Sequence, residues 1–233
     1  MAINYDLIKF YQCAHWINDN SHGGGISGVE IFTKKDENIF EKVTDFSRRI
    51  GAIDYKKVFI KNENAEIWQD VVGWLISDTI APNDNISISG AGTESRLGIP
   101  APLSGISKIE GEFVIGDTST NFLKEVGIGE KVYNGTNDTN SSAIEIISIQ
   151  HKVLTLASEY MGSVGVDKKI YVTPAKDFLF KAPLTNDDDK RLCYGDIAIN
   201  DYVGIWLKRT VLAAGAYYAS NSFTVGMISK NLL

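Results

Sequence analysis

Zinc binding and nucleophilic catalysis draw on histidine and cysteine, and this chain offers His15, His22, His151, Cys13 and Cys193. Cys13, His15 and His22 lie close together and present soft and borderline ligands. Their spacing matches no zinc pattern, a fourth ligand is missing, and the glycine run after His22 gives no rigid frame. Packed or solvent-facing side chains are expected there. A serine nucleophile needs a histidine base, and with two of the three histidines in the N-terminal arm no triad can be assembled. Among 29 acidic residues no pair stands out for glycoside hydrolysis.

Phosphate chemistry fares no better. Gly23-Gly24-Gly25-Ile26-Ser27-Gly28 has the letters of a dinucleotide-binding turn, but such a turn follows a strand and opens a helix whose N-terminus meets the pyrophosphate. Here the run precedes Val29-Glu30-Ile31-Phe32-Thr33, which reads as a strand, so a sharply turning loop is expected. There is no Walker A sequence and no nucleophile elbow. Asp187-Asp188-Asp189 lacks the alternating frame and terminal bidentate glutamate of a calcium loop and reads as a solvated turn. The sequence therefore assigns no catalytic, cofactor-binding or metal-binding residue, and no cofactor is expected.

Aromatic surfaces can stack sugars or bases, which directs attention to Trp16, Trp68, Trp74 and Trp206. Trp74 and Trp206 lie in apolar runs and are expected in a core. Trp68, just after a turn, is open to either role. Trp16 closes the aromatic-rich segment 7–16, where Phe10, Tyr11 and Trp16 are candidate inter-subunit contacts, an anchoring arm of the kind found at interfaces. The same segment reads equally well as the first strand and turn of a sheet.

The elements that must position these residues are mostly short strands separated by Gly, Asn, Asp and Pro. Residues 55–62 and 66–77, joined by Asn62-Glu63-Asn64-Ala65, are expected to pair as antiparallel neighbours, and 86–89 form a further strand after the turn at Pro82-Asn83-Asp84-Asn85. One helix is expected where Ile39, Val43, Phe46 and Ile50 recur at helical spacing. Thr44 or Asp45 would cap its start, Gly51 would end it, and its apolar face would cover an open end of the sheets. The composition shifts at Ile99-Pro100-Ala101-Pro102. Beyond it, candidate strands at 112–115, 121–126, 130–134, 143–149, 152–157 and 168–172 suggest a small barrel, with a hairpin turning at Gln150-His151. A polar loop at 185–190 closes that block. Residues 202–211 and 222–228 then read as strand, turn, strand completing the first block. The fold expected is all-β: an immunoglobulin-like β-sandwich (1–98 plus 195–233, with an N-terminal arm) carrying an inserted β-barrel-like domain (99–194) and one short helix.

Composition bounds the function classes. The chain has 233 residues, 44% hydrophobic and 22% charged, which excludes disorder and fibrous classes. Its 23 basic against 29 acidic residues, a net charge of −6, argue against direct nucleic-acid binding, which needs a basic footprint. The start reads as no signal peptide and no apolar run approaches a membrane span, so a soluble chain made in the cytoplasm is expected. Cys13 and Cys193 are then expected as free thiols, with a long-range disulfide as the alternative. The glycosylation-like triplets at 134–142 read as one polar loop.

Several stretches together resemble a family of virion structural proteins of tailed, contractile-tail (myovirus-like) bacteriophages. They are Tyr5-Asp6-Leu7-Ile8-Lys9-Phe10-Tyr11, the Gly-Gly-Gly-Ile-Ser run at 23–27, Asn38-Ile39-Phe40 through Val43-Thr44-Asp45, Arg48 to Gly51, residues 55–62, and Ile205-Trp206-Leu207-Lys208-Arg209-Thr210-Val211. The similarity covers both ends and is vaguer over 99–190. Lys56-Lys57 stands where members carry Arg-Lys, and the Ala-rich 211–216 departs from a Pro-Ala-Gly turn. The resemblance implies a non-enzymatic, β-rich building block of the virion, assembled in the host cytoplasm as a ring or array. Its partners would be copies of itself and other virion proteins, with no membrane and no direct grip on nucleic acid. The head-to-tail neck or collar is the first placement, with capsid decoration and the tail or baseplate as alternatives. From another class, a carbohydrate-binding β-sandwich module would use the aromatic residues, Trp68 first, and a hydrolase on an all-β scaffold is a third reading.

Overall fold

In the computed structural model the described residues are 3–18, 22–32, 38–79, 83–91, 101–102, 106–118, 120, 122–126, 130–133, 144–160, 171–173, 192–214 and 222–229. β-Branched and aromatic runs fold as strands because their side chains pack well on a pleated, half-buried surface. In chain order these are β1 (Ile8–His15), β2 (Gly23–Glu30), β3 (Ala52–Asn62), β4 (Trp68–Ser77) and β5 (Asp84–Ala91). Then follow β6 (Ala101–Pro102), β7 (Ile106–Glu110), β8 (Phe113–Gly116), β9 (Lys131–Tyr133), β10 (Ile144–Ile149), β11 (Val153–Leu156) and β12 (Tyr171–Thr173). The chain returns with β13 (Leu192–Ile197), β14 (Tyr202–Val211) and β15 (Thr224–Ser229), and two short helices, α1 (Asp45–Ile50) and α2 (Phe122–Glu125), interrupt the strands. Neither helix is long and apolar enough to cross a membrane.

The fold is all-β. A five-stranded sheet, β2-β1-β3-β14-β5, shares one core with a three-stranded sheet, β13-β4-β15, as a sandwich. Val58 and Ile60 of β3, Ile86 and Ile88 of β5, and Val203, Ile205 and Leu207 of β14 enter that core from one side. Trp68, Val71 and Leu75 of β4 and Leu192, Tyr194 and Ile197 of β13 complete it. The inserted block is a seven-stranded sheet, β6-β12-β9-β10-β11-β8-β7, with its own core of Val114, Phe122, Val126, Val132, Ile146, Leu154, Leu156 and Tyr160. Its edge strands are β6 and β7. Pro102 and Ile106 are four residues apart, at most about 14 Å of extended chain, so the two edges curl toward each other as a half-barrel. The hairpin through Gln150-His151 forms as expected between β10 and β11.

Strand pairing differs from expectation where neighbours in sequence read as antiparallel pairs. β3 and β4 do not pair: β3 lies between β1 and β14, and β4 between β13 and β15. Each carries an apolar face that must be covered by another sheet, and placing them in opposite sheets lets Ile60 and Trp68 face one core. β14 and β15 divide between the two sheets in the same way. The stretch 121–126, expected as a strand, holds the one-turn helix α2, because Phe122 and Val126 share a helical face and both are buried. β13 pairs with β4 from Leu192 onward, so the boundary drawn between 194 and 195 falls inside a strand. The loops at 134–142 and 185–190, Asp187-Asp188-Asp189 included, lie outside the described residues.

α1 forms where expected, with the Thr44 hydroxyl accepting from the Ser47 N–H at 3.1 Å and Gly51 at φ 85° closing it. Its orientation is the reverse of the expected one. Phe46 and Ile50 are 65% and 62% exposed, and the buried side chain of the helix is Arg48. At about 100° per residue, position 48 lies opposite the face shared by 46 and 50, so only one of the two faces can meet the sandwich.

Candidate functional site

Among the described residues, the densest gathering of chemically capable side chains is on the outer side of the five-stranded sheet, around Cys13, His22 and Lys57. β1 pairs with β3 in regular register from Ile8 opposite Asn62 to Gln12 opposite Val58. Its pairing with β2 shifts register on either side of Cys13, and such irregularities re-aim side chains. Beyond Gln12 the strand no longer supplies an acceptor to β3. His22 does: the Lys57 backbone N–H donates to its Nε2 at 2.9 Å. Its Nδ1 lies 2.6 Å from the Ile17 carbonyl oxygen. Ile17 also turns its N–H toward Nδ1, at 3.3 Å, but the shorter contact with its carbonyl and the N–H donated to Nε2 favour the neutral tautomer with the proton on Nδ1. The imidazole is wholly buried, tilted between the Trp16 and Trp206 rings at centroid distances of 5.5 and 5.8 Å.

Two of the three clustered residues weighed as zinc ligands thus meet: Cys13 Sγ is 3.5 Å from His22 Nε2. The pair does not make a nucleophile. The Nε2 lone pair is already engaged by the Lys57 N–H, and burial pushes the Cys13 thiol up, against a smaller opposing effect of the Lys57 charge. The thiol donates weakly to the His15 carbonyl at 3.5 Å. His15 itself does not join a ligand set; among the described residues no three His, Cys, Asp or Glu side chains gather to hold a metal. His151 is exposed in its hairpin turn, and Cys13 and Cys193 are both free thiols, the first buried and the second exposed.

Lys57 is the functional-looking residue that sequence reading missed. Its side chain is fully buried, its Nζ donates to the Gly24 carbonyl at 3.0 Å, and it lies over the Phe59 and Trp206 rings at 5.0 and 5.7 Å. A carbonyl and two aromatic faces replace part of the water an ammonium loses. Gly23 and Gly24 permit this approach: with φ of 121° and 77°, they open β2 in a conformation other residues rarely adopt. The expected loop at 23–28 is therefore the first part of a strand, and a shaped one. Lys56 serves the neighbouring corner. Its Nζ donates to Asn18 Oδ1 at 2.6 Å and stands 4.8 Å over the Trp16 ring, and burial lowers its pKa while Glu41 and Asp54 oppose the shift.

The candidate subunit contacts occupy β1. Phe10 and Trp16 are half-buried against the sandwich core, and Tyr11 donates to Glu63 Oε1 at 2.7 Å. Trp206 is buried as expected, whereas Trp74 is only half-buried and Trp68 is wholly enclosed.

No protein-family model, curated protein or solved structure matches this chain.

Proposed function

We propose that the chain is a non-enzymatic building block of a tailed-bacteriophage virion that works by burying surface against copies of itself and adjacent virion proteins, at the head-to-tail neck. The observation that carries this reading is an inversion at α1, where large apolar side chains face solvent and one charged side chain, Arg48, is inside. Phe46 and Ile50 share the outer face of the helix, Ile53 is exposed at the start of β3, and exposed Leu212 adjoins the backbone against which Gly51 packs. Four such side chains at one end of the sheet are worth covering: each is already partly covered and contributes on the order of 1 kcal/mol when the rest is removed from water. Cys13, His22 and Lys57, by contrast, are spent inside the chain. The sequence resemblance supplies the particle, and the all-β architecture is compatible with it.

The carbohydrate-binding alternative loses its principal residue, since an enclosed Trp68 has no ring face to offer a sugar. Native mass spectrometry of the purified protein, with cryo-electron microscopy of virions, tests the assembly reading. A ring or array, dissolved by Phe46→Asp with Ile50→Asp while the strand signal in circular dichroism persists, is expected. A strictly monomeric protein absent from purified particles would overturn it, and density on the capsid surface or in the baseplate would move it from the neck.

A further inference from the structure

We propose that His22 is an acid-sensitive latch that holds residues 16–18 and 22–24 against β3 at the end of β1 while neutral and releases them when protonated. The closed arrangement accepts only the neutral ring. Nε2 must keep its lone pair to receive the Lys57 N–H at 2.9 Å, and Nδ1 must keep its proton to reach the Ile17 oxygen at 2.6 Å. A second ring proton would set two N–H groups against each other at the Lys57 position and leave a central strand without its partner.

The charged surroundings act in the same direction. From β1 the ring faces the Cys13 thiol, and from β3 it faces Lys57, whose Nζ lies over the same Trp206 ring that flanks the imidazole. Lys56, also from β3, stands over Trp16, the other flanking ring, with Glu41 and Asp54 acting on Lys56 from further out. Residues 16–17, Gly23 and Gly24 of β2, and Trp206 of β14 bring no titratable side chain. An imidazolium would thus be a further cation beside two partly desolvated lysines, with its own hydration lost.

The latch shares its segment with the Lys56 bond to Asn18, the Lys57 bond to the Gly24 carbonyl and the packing of Trp16 on the sandwich core. Its far side is a segment carrying the two positive-φ glycines, and β1 is already irregular at Cys13. Opening it leaves the shared sandwich core of β3, β4, β5, β13 and β14 in place while exposing Cys13, Trp16, Lys57 and Trp206. The sign follows from proton linkage: the open form takes up a proton that the closed form refuses. The open-to-closed ratio is flat above the ordinary imidazole range near pH 6.5 and rises about tenfold per pH unit below it.

Cys13 and Cys193 provide the readout. Both thiols of the intact protein are labelled with 4,4′-dithiodipyridine between pH 8 and 4.5 and resolved by peptide mass spectrometry, with exposed Cys193 correcting for the reagent's own pH response. The Cys13-to-Cys193 rate ratio is expected to rise at least tenfold from pH 7.5 to 5 while the far-ultraviolet strand signal is retained, and to stay flat in His22→Gln, whose amide accepts the Lys57 N–H without titrating. A flat ratio in the unaltered protein, a rise only with loss of the whole strand signal, or the same rise in His22→Gln overturns the proposal. Should that variant not fold, nitrogen-15 histidine spectra of the unaltered protein decide: a neutral Nδ1–H ring at pH 7.5 that charges as Cys13 becomes reactive is expected, and a charged ring in the closed form overturns the latch.

Discussion

Arg48 Nη2 stands 3.4 Å from Asp84 Oδ2 with both side chains buried, and this ion pair fastens α1 to β5. A helix of six residues with its apolar face turned to solvent has little else to hold it. Removing one partner strands the other charge away from water, so Arg48→Met is expected to cost about 3–5 kcal/mol. Urea unfolding followed by circular dichroism measures it. Asp84→Asn should cost less, and the double change should lose less than the sum of the singles; simple additivity would show that the pair is not coupled.

Asn62 joins both sheets where β3 leaves for β4. Its Nδ2 donates to the carbonyls of Glu66 at 2.9 Å and Ile197 at 3.0 Å, and its Oδ1 accepts from the Asn64 N–H at 3.1 Å. Asn62→Asp preserves shape but sets a carboxylate oxygen against those carbonyls. It is expected to lower stability by about 3 kcal/mol at neutral pH, with part recovered in acid as the carboxyl regains a proton. An equal melting temperature for the two proteins at pH 7 would refute this role.

These two contacts show where sequence reading ends. The caps of α1 were legible because capping is local: Thr44 and Gly51 act within a few residues of themselves. Strand existence was legible from alternation in β3 and β14. Pairing was not, since Val58 lies opposite Ile205 and the order of strands depends on such distant partners. The orientation of α1 was hidden for the same reason, because Asp84 is remote from Arg48 and apolar spacing alone favoured the opposite face. At the candidate site, Cys13 and His22 are close in sequence, but a shifted strand register and two glycines at positive φ bring them together. A signal for Lys57 did exist. A lysine within Lys57-Val58-Phe59-Ile60 alternates onto the face of Phe59, yet the rings that cover it come from β3 and β14 together.

Trp68 is wholly enclosed and meets Tyr5 edge to face at 6.1 Å. Trp68→Ala opens a large cavity and is expected to cost about 3–5 kcal/mol, with Trp68→Phe losing distinctly less. Denaturant midpoints for both variants test this. A near-neutral Trp68→Ala would mean that the ring is not part of the sandwich core.

Tyr11 and Glu63 give the outer face of the sheet its own pH dependence. The hydrogen bond to Glu63 and then burial push the Tyr11 hydroxyl from 10.0 up to about 12, while the same bond, then Lys61, hold the Glu63 carboxyl below its usual 4.5. For the tyrosine, the unfolded chain ionises first, so the stability it contributes is whole below pH 10 and is lost as pH rises toward 12. For the glutamate the unfolded chain takes up its proton first, so its contribution is present above 4.5 and lost as pH falls below it. Both groups are partly exposed, so the effects are modest and weaken with salt. Tyr11→Phe should flatten the alkaline arm attributable to this residue and relax Glu63 toward its ordinary value. Absorbance titration at 295 nm for the phenolate, with melting temperatures across pH 3–12, reads both arms. A Tyr11 that ionises near 10 in the folded protein would show that the bond to Glu63 is not maintained.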